Sequence, residues 1–597
     1  MSRRPALGGL LAALLLLGPV GCGIPDDTEV RVEGSGPAAE AGATSGGRVE
    51  PPSRTASDTV EEFVANFLSA AAGEPDGAYD RVRQFVDSAD RPRLQEKQGS
   101  AVSLTVVRLI GPPRIVASPD QSRVTLRVQQ VGQLGADGVL EPPEATATSY
   151  EFGLRPTLQD SGVETDWYVV DPPAVLLLSV EALKNYYTPR PVYFWSSDRS
   201  RLVPDERYLP RAVPKDRLVS EVVRWLTGGP SNWLRKGVSP ARDDTRLINN
   251  ATRTDDRWEV NLDMPGDDRT RLEQLGTQLA WSLPELTGQL ELKVNNQSRL
   301  TIDDLAQRRQ AFPAYTVDDA PQRFCVYEGA VHSLDYPGEP SGPVPVAATA
   351  NTRVVSAGFS RYERGILAAL VVTGQNGRQH LSVGVGADPV TAFTRSQGTG
   401  YATMGRPVWL RSANPPAGLV VADGQLYRFD SQARMSRVPL TAAGNVTGVA
   451  ASPDGHRLAV IAGNALYVLA VNHNGGVLDA GSPRQLYTSL TNLSAVDWSG
   501  ENTLVVGGSA GQPAIYEISV DGARESALRE ATGAAVTHLA AYPANPANPA
   551  AQISGKVMYE ANGVAFRGVP FEQIKRDPVQ GVTQPPAGNP TAPFFLY

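Results

Sequence analysis

Cysteine is nearly absent. The chain has two in 597 residues, Cys22 and Cys325. If Cys22 is used for anything else, no internal disulfide can form, and a zinc site built on cysteines is excluded as well. Histidine is almost as sparse. His332, His380, His456, His473 and His538 are scattered, none pairs at metal-ligand spacing, and no His-Glu-x-x-His occurs. Positive charge is in deficit: 55 Lys and Arg face 63 Asp and Glu, a net of −8. That balance lacks the basic footprint of a nucleic-acid binder. The leucine-rich run from Leu7 to Leu17 is eleven residues, short of the roughly 20 that cross a bilayer as a helix. The whole chain, 41% hydrophobic and 20% charged, has the balance of a globular protein long enough for several domains.

The most informative stretch is the first 22 residues. Arg3 and Arg4 precede the apolar run, and Gly18-Pro19-Val20-Gly21-Cys22 follows it. A basic start, a short apolar core and a small-residue exit make an export signal. The exit resembles a bacterial lipobox, with Pro19 where that motif usually has leucine. The resemblance implies cleavage before Cys22, a diacylglycerol on its sulfur and an acyl group on its amine. A thiolate is the nucleophile such chemistry needs, and two or more chains hold a protein to a membrane where one does so only marginally. The alternative is a plain secretory signal with an incidental cysteine. Residues 22–56 then read as a lipidated tether. From Ile24 to Ala56 there is no aromatic residue and almost no apolar periodicity, a composition that cannot offset the entropy of ordering. As a coil it would reach roughly 30 Å.

Residues 57–185 read as α+β. Ser57 is placed to cap a helix with Asp58, Glu61 and Glu62 in its first turn and an apolar face of Val60, Phe63, Val64, Phe67, Leu68 and Ala71, ending at Gly73. Tyr79, Val82, Phe85 and Val86 form a second face. The period then becomes two, through Val102, Leu104, Val106 and again Val124, Leu126, Val128, with more strand at Tyr150-Glu151-Phe152 and Trp167 to Val170. Helices followed by a curved antiparallel sheet resemble the NTF2-like cone.

Residues 186–312 form a second α+β unit. Tyr193-Phe194 lies in a strand, Leu202-Val203-Pro204 in the loop after it, and Asp216 caps a helix that stops at Gly228-Gly229-Pro230. Val260-Asn261-Leu262-Asp263 is a strand, Leu275 to Leu283 carries a helix, and another strand ends at Asn295-Asn296-Gln297. This series resembles the GerMN module of spore-germination and envelope proteins. Arg199, Arg201 and Arg207 read as a solvated face.

Residues 313–597 are β throughout and repeat. Ala451-Ser452-Pro453-Asp454-Gly455 leads into Arg457 to Val460 and then Ala465 to Leu469, with Pro453 and Gly455 suited to a type I turn. Related units carry Phe359-Ser360, Trp409-Leu410-Arg411, Trp498-Ser499 and Ala541-Tyr542. A spacing of roughly 40 to 50 residues is that of a four-stranded propeller blade, and five or six blades are expected. Phe324 to Tyr327 and Ala330 to His332 look like the middle strands of a blade whose first strand is missing. The apolar Phe594 to Tyr597 is placed to dock there.

Catalytic signals are weak. Gly507-Gly508-Ser509-Ala510-Gly511 matches a nucleophile elbow, but strands lead both into and out of it, so it reads as a hairpin turn. Gly384-Val385-Gly386 lacks the third glycine and the helix of a nucleotide loop. Asp303-Asp304 and Asp318-Asp319 are adjacent acids that point apart. Cys325 reads as a small buried residue, and His456 as an exposed turn residue. No catalytic residue, metal ligand or cofactor is assigned; Cys22 is the one site residue.

The order lipobox, tether, NTF2-like domain, GerMN-like domain and β-propeller resembles the actinobacterial LpqB lipoprotein family. That resemblance implies a lipid anchor on the outer face of the cytoplasmic membrane. It also implies a partner, the outer domain of an MtrB-like sensor kinase in MtrAB-type two-component signalling, with a role in envelope growth and cell division. Binding of cell-wall glycan or a small ligand is the alternative. A hydrolase working at the propeller's mouth is the rival from another class, and it would need convergent carboxylates or a metal there.

Overall fold

The computed structural model describes residues 50–118, 120–145, 147–158, 164–239, 244–265, 268–363, 365–411, 413–442, 444–473, 476–546, 556–582 and 588–597. The chain divides into residues 1–47 and 48–597, and all that follows concerns the second unit. The export signal and Cys22 lie outside the described residues, as does nearly all of the tether.

In the first module, helices Val60–Phe67 and Ala78–Phe85 bury Phe63, Val64, Phe67, Val82 and Phe85. The sheet runs, in spatial order, Glu164–Val170, Ala147–Leu158, Ser122–Gly135, Ser103–Leu109 and Leu176–Ser179. Only the last neighbour is parallel. Val124, Leu126 and Val128 are wholly buried on one face while Arg123 and Arg127 are exposed on the other, the alternation that a half-buried strand requires. Phe67 meets Phe152 across the layers at 5.3 Å. The cap is Thr59, not Ser57: Thr59 accepts from the Glu62 amide at 3.2 Å, and Ser57 accepts from Asn66 Nδ2 at 2.8 Å. The helix also stops at Phe67, short of Gly73.

The second module opens with a long hairpin. Tyr187–Trp195 pairs antiparallel with Leu202–Pro210 over nine residues. Leu202-Val203-Pro204 is therefore strand, not loop. Pro204, which suggests a loop, sits in a two-stranded sheet where one edge needs no donor. Helix Lys215–Gly228 begins after Pro214, with Asp216 in its first turn making no side-chain cap; Gly229 ends it at φ +88°, where a Cβ is disfavoured. Strands Arg257–Asp263 and Gln289–Val294 are parallel, so the chain must cross over between them, and helix Arg269–Ser282 makes that crossing. Gln297–Ile302 and Arg246–Leu247 complete the sheet's edges, with Thr252–Thr254 alongside.

Six blades follow. Their innermost strands are Thr591–Phe595, Val354–Tyr362, Val408–Leu410, Val446–Ala451, Thr491–Trp498 and Val536–Ala541 for blades 1 to 6. Each lies beside the next, and the sixth returns to the first, so the ring closes. Closure uses the chain's last strand: Thr591–Phe595 pairs antiparallel with Arg323–Tyr327 and fills the missing inner place of blade 1. Phe594 and Phe595 are fully buried, and Phe594 packs on Phe324 and Phe359 at 5.5 and 5.1 Å.

The modules share cores. Apolar residues of the second module run without interruption into Ala450, Leu466, Trp498, Leu504 and Ile518 of blades 4 and 5, and Ala523 of blade 5 belongs to the core of the first module.

Candidate functional site

The inner strands of a propeller end at the mouth of its axis, so residues at or just past those ends share one site. Here the residues are Ser360 and Arg361 from blade 2, Arg411 from blade 3, Pro453 from blade 4 and Tyr597 from blade 1. Tyr315, Thr316, Val317 and Asp318 of the segment joining the second module to the ring line the same cavity, with Arg201 from the second module's hairpin; its volume is about 210 Å³. Deeper in the axis Arg406 pairs with Asp497 at 2.7 Å, and Asp497 also accepts from the Ala541 amide at 2.9 Å and the Tyr597 hydroxyl at 3.3 Å. Arg361 reaches Asp318 at 3.4 Å. The Arg411 guanidinium lies 4.5 Å over the Tyr597 ring, and its Nη2 is buried without a hydrogen-bond partner.

The floor beneath this mouth is polar and tightly paired. Arg457, fully buried, donates to Asp454 at 2.7 Å, to the Glu501 carbonyl at 2.6 Å and to the Pro204 carbonyl of the second module at 3.3 Å. Tyr193 donates to Glu501 at 2.7 Å, and burial raises the Glu501 carboxyl to about 7. Glu206 is likewise raised to about 7 by burial, with Arg524 pulling the other way as its ion-pair partner. Tyr208 donates to Asp521 at 2.6 Å.

A larger cavity of about 580 Å³ lies among the first module, the hairpin and blade 5. Its charges are of both signs and largely answered: Arg108 sits 3.3 Å from Glu525 and donates to the Gly522 carbonyl at 3.0 Å, and Arg524 pairs with Glu206. It works as a joint between modules rather than as a charged pocket.

The alignments of the sequence agree with this three-part body. A family profile described as the Lipoprotein LpqB N-terminal domain matches residues 52–184, one described as Sporulation and spore germination matches 191–299, and one described as the Lipoprotein LpqB beta-propeller domain matches 337–579. Lipoprotein LpqB of Rhodococcus opacus (strain B4) is 25% identical over 564 residues, covering 88% of this chain and 89% of its own length. The chain belongs to the LpqB lipoprotein family. Its counterpart in Rhodococcus jostii (strain RHA1) is 24% identical over 562 residues and 88% of each chain. The tandem GerMN domains of the sporulation protein GerM from Bacillus subtilis align at a TM-score of 0.16 and 19% identity, over 19% of this chain and 41% of that one, a similarity too slight to bear on fold or function.

Within this LpqB family member the residues singled out above fall in different places. Cys22, the lipid site, lies outside the described residues. No helix among the described residues is long and apolar enough to cross a membrane. Ser509 is the penultimate residue of strand Thr503–Ala510, which turns at Gly511 into Gln512–Ser519; a strand, not a helix, follows it. Asp304 caps helix Leu305–Ala311, Asp303 accepts from Gln289 at 3.1 Å, and Asp318 faces Arg361. Cys325 is buried, its thiol pushed up to about 12 by desolvation.

Two expectations fail at the joint. His456 is fully buried, not exposed: its ring lies 5.2 Å from that of His473, its Nε2 is 3.5 Å from Asp198, and burial lowers the pKa of both histidines. An isolated propeller would expose this turn, but the second module covers it. Gly237 lies so close that a Cβ there would sit 2.9 Å from the His456 carbonyl oxygen. Arg207 is 2% exposed, held by Asp205 at 3.2 Å and the Gly229 carbonyl at 2.6 Å, while Arg199 stays exposed and Arg201 turns into the mouth. Of the mouth's arginines, the sequence names Arg411 only as part of a repeat unit and Arg201 only as part of a solvated face, and Arg361 is not singled out. Arg361 and Arg411 follow Phe359-Ser360 and Trp409-Leu410, equivalent places of the repeat, so the repeat period itself was the signal that could have found them.

Proposed function

We propose that the chain is anchored through lipid on Cys22 to the outer face of the cytoplasmic membrane and serves there as a docking body for the outer domain of an MtrB-like sensor kinase, tuning MtrAB-type signalling in envelope growth and division. One observation carries this reading: the three modules are fused into one body by shared cores and by the cross-module contacts Glu206–Arg524, Arg108–Glu525, Tyr193–Glu501 and Tyr208–Asp521, so a partner touching any module is sensed by all of them. Confinement near the membrane raises the effective concentration of such a partner, and a modest intrinsic affinity then suffices. Where the hydrolase reading needs convergent carboxylates, the mouth carries arginines, and its Asp497 is already bound to Arg406.

A second reading, binding of envelope glycan, has support from a groove of about 160 Å³ on the second module, where half-buried Trp195 stands beside Gln274 and Gln278. The deciding experiment titrates the mature chain with the kinase's outer domain and follows response-regulator phosphorylation in cells carrying native or Cys22→Ala protein. Saturable binding, with phosphorylation altered in the Cys22→Ala cells, is expected. No binding at high micromolar concentration, together with unchanged phosphorylation on depletion, removes the kinase and leaves glycan in front.

A further inference from the structure

We propose that the mouth of the propeller binds a phosphoryl group, held by Arg201, Arg361 and Arg411. The three guanidiniums come from three separate segments, the second module's hairpin and blades 2 and 3, yet they line one cavity of about 210 Å³. Arg411 is the anchor. It is half-buried, lines the cavity, and its guanidinium stacks 4.5 Å over the Tyr597 ring. A guanidinium held against an aromatic ring is already ordered, so an anion entering the mouth meets it at little further cost in side-chain freedom.

The charge count favours an anion. Among the described residues Asp318 is the one carboxylate side chain lining the cavity, and it is 3.4 Å from Arg361. Three arginines thus face one aspartate. The walls are Tyr315, Val317, Pro453 and Tyr597, which thin out the water and so strengthen each charged contact. Geometry selects the class of anion. A carboxylate is planar and satisfies one fork; a tetrahedral phosphoryl group offers oxygens in several directions and suits guanidiniums arriving from different sides. Thr316 adds a hydroxyl at the rim.

The test uses the lipidated full chain in detergent and calorimetric titration at constant ionic strength, with inorganic phosphate, glucose 1-phosphate and acetate as probes. Saturable binding of phosphate is expected, weakened by about tenfold or more in Arg411→Gln and in Arg361→Gln. It should be unchanged in Arg437→Gln, which alters an exposed arginine on the outer strand of blade 3. Tighter binding of glucose 1-phosphate identifies a phosphomonoester on a larger molecule; equal binding identifies the free anion. Absence of saturable binding by the native chain, retained affinity in both arginine variants, or acetate binding as well as phosphate overturns the assignment. Should Arg411→Gln fail to fold, Arg361→Gln decides, since that side chain is 52% exposed and supports no core.

Discussion

Arg207 is an arginine whose type says surface and whose place says core. It is buried because Asp205, two residues earlier on the same strand, projects on the same side and meets it at 3.2 Å. Asp205 is satisfied in turn by the Ser231 amide at 2.9 Å and the Ser231 hydroxyl at 2.6 Å. A buried charge is tolerated when it is paired and costly when it is not. Asp205→Ala should therefore destabilise the chain by about 3–5 kcal/mol, while replacing both residues by apolar ones of similar volume should restore most of that loss. Urea unfolding of the single and double variants checks this; a double variant as weak as the single would mean the pair does more than neutralise itself. The Asp205-x-Arg207 spacing is plain in the sequence, but it carries meaning only on a strand, and Pro204 just before it argues locally for a loop. His456 was hidden for another reason: the surface that buries it belongs to residues more than 200 positions away, and no local pattern reports such a neighbour.

At the scale of the element, local period was a dependable guide. The helical face through Phe63 and Phe67 and the alternation through Val124, Leu126 and Val128 are buried as that spacing requires. The missing first strand of blade 1 could also be inferred, because a blade without an inner strand leaves an edge and the chain ends on an apolar segment that fits one. What the period did not supply were the ends of elements, where Thr59 displaced Ser57 as cap. Removing Pro593 to Tyr597 should expose that edge and take from the core Phe594, Phe595 and Leu596, each at most 2% exposed. At roughly 1.5–3 kcal/mol each the loss is several kcal/mol. A melting temperature lower by several degrees, with a new tendency to aggregate, is expected in a thermal scan with light scattering; an unchanged curve would show that the ring closes without the strand. The seam has a pH limit of its own. His538 donates to the Pro593 carbonyl at 3.0 Å and burial lowers its pKa to about 3, so its share of stability is whole above the ordinary histidine value and fades as pH falls toward 3.

For the whole molecule the decisive contacts join distant parts of the chain: Tyr193 to Glu501, Tyr208 to Asp521 and Glu206 to Arg524. Module order was legible because each module repeats its own period; the fusion of modules was not, because it rests on single polar residues with no pattern. That seam titrates. Glu206 and Glu501 are both raised to about 7 by burial, from an ordinary 4.5. A carboxyl group raised on folding contributes stability that is complete below its unfolded value and is lost as pH rises through the folded one. The buried histidines act in the opposite sense, but their share is half gained at about pH 6.5 and nearly complete about one unit above it. Above about pH 7.5 the two carboxyl groups should therefore set the slope, and the seam should weaken as pH rises. Thermal unfolding across that window should show a falling melting temperature, and Glu501→Gln, which holds the side chain neutral at every pH, should flatten the fall. A native chain with no slope there, or a Glu501→Gln variant with the same slope as native, would mean that Glu501 is ionised throughout and that Arg457 and Tyr193 already hold it so.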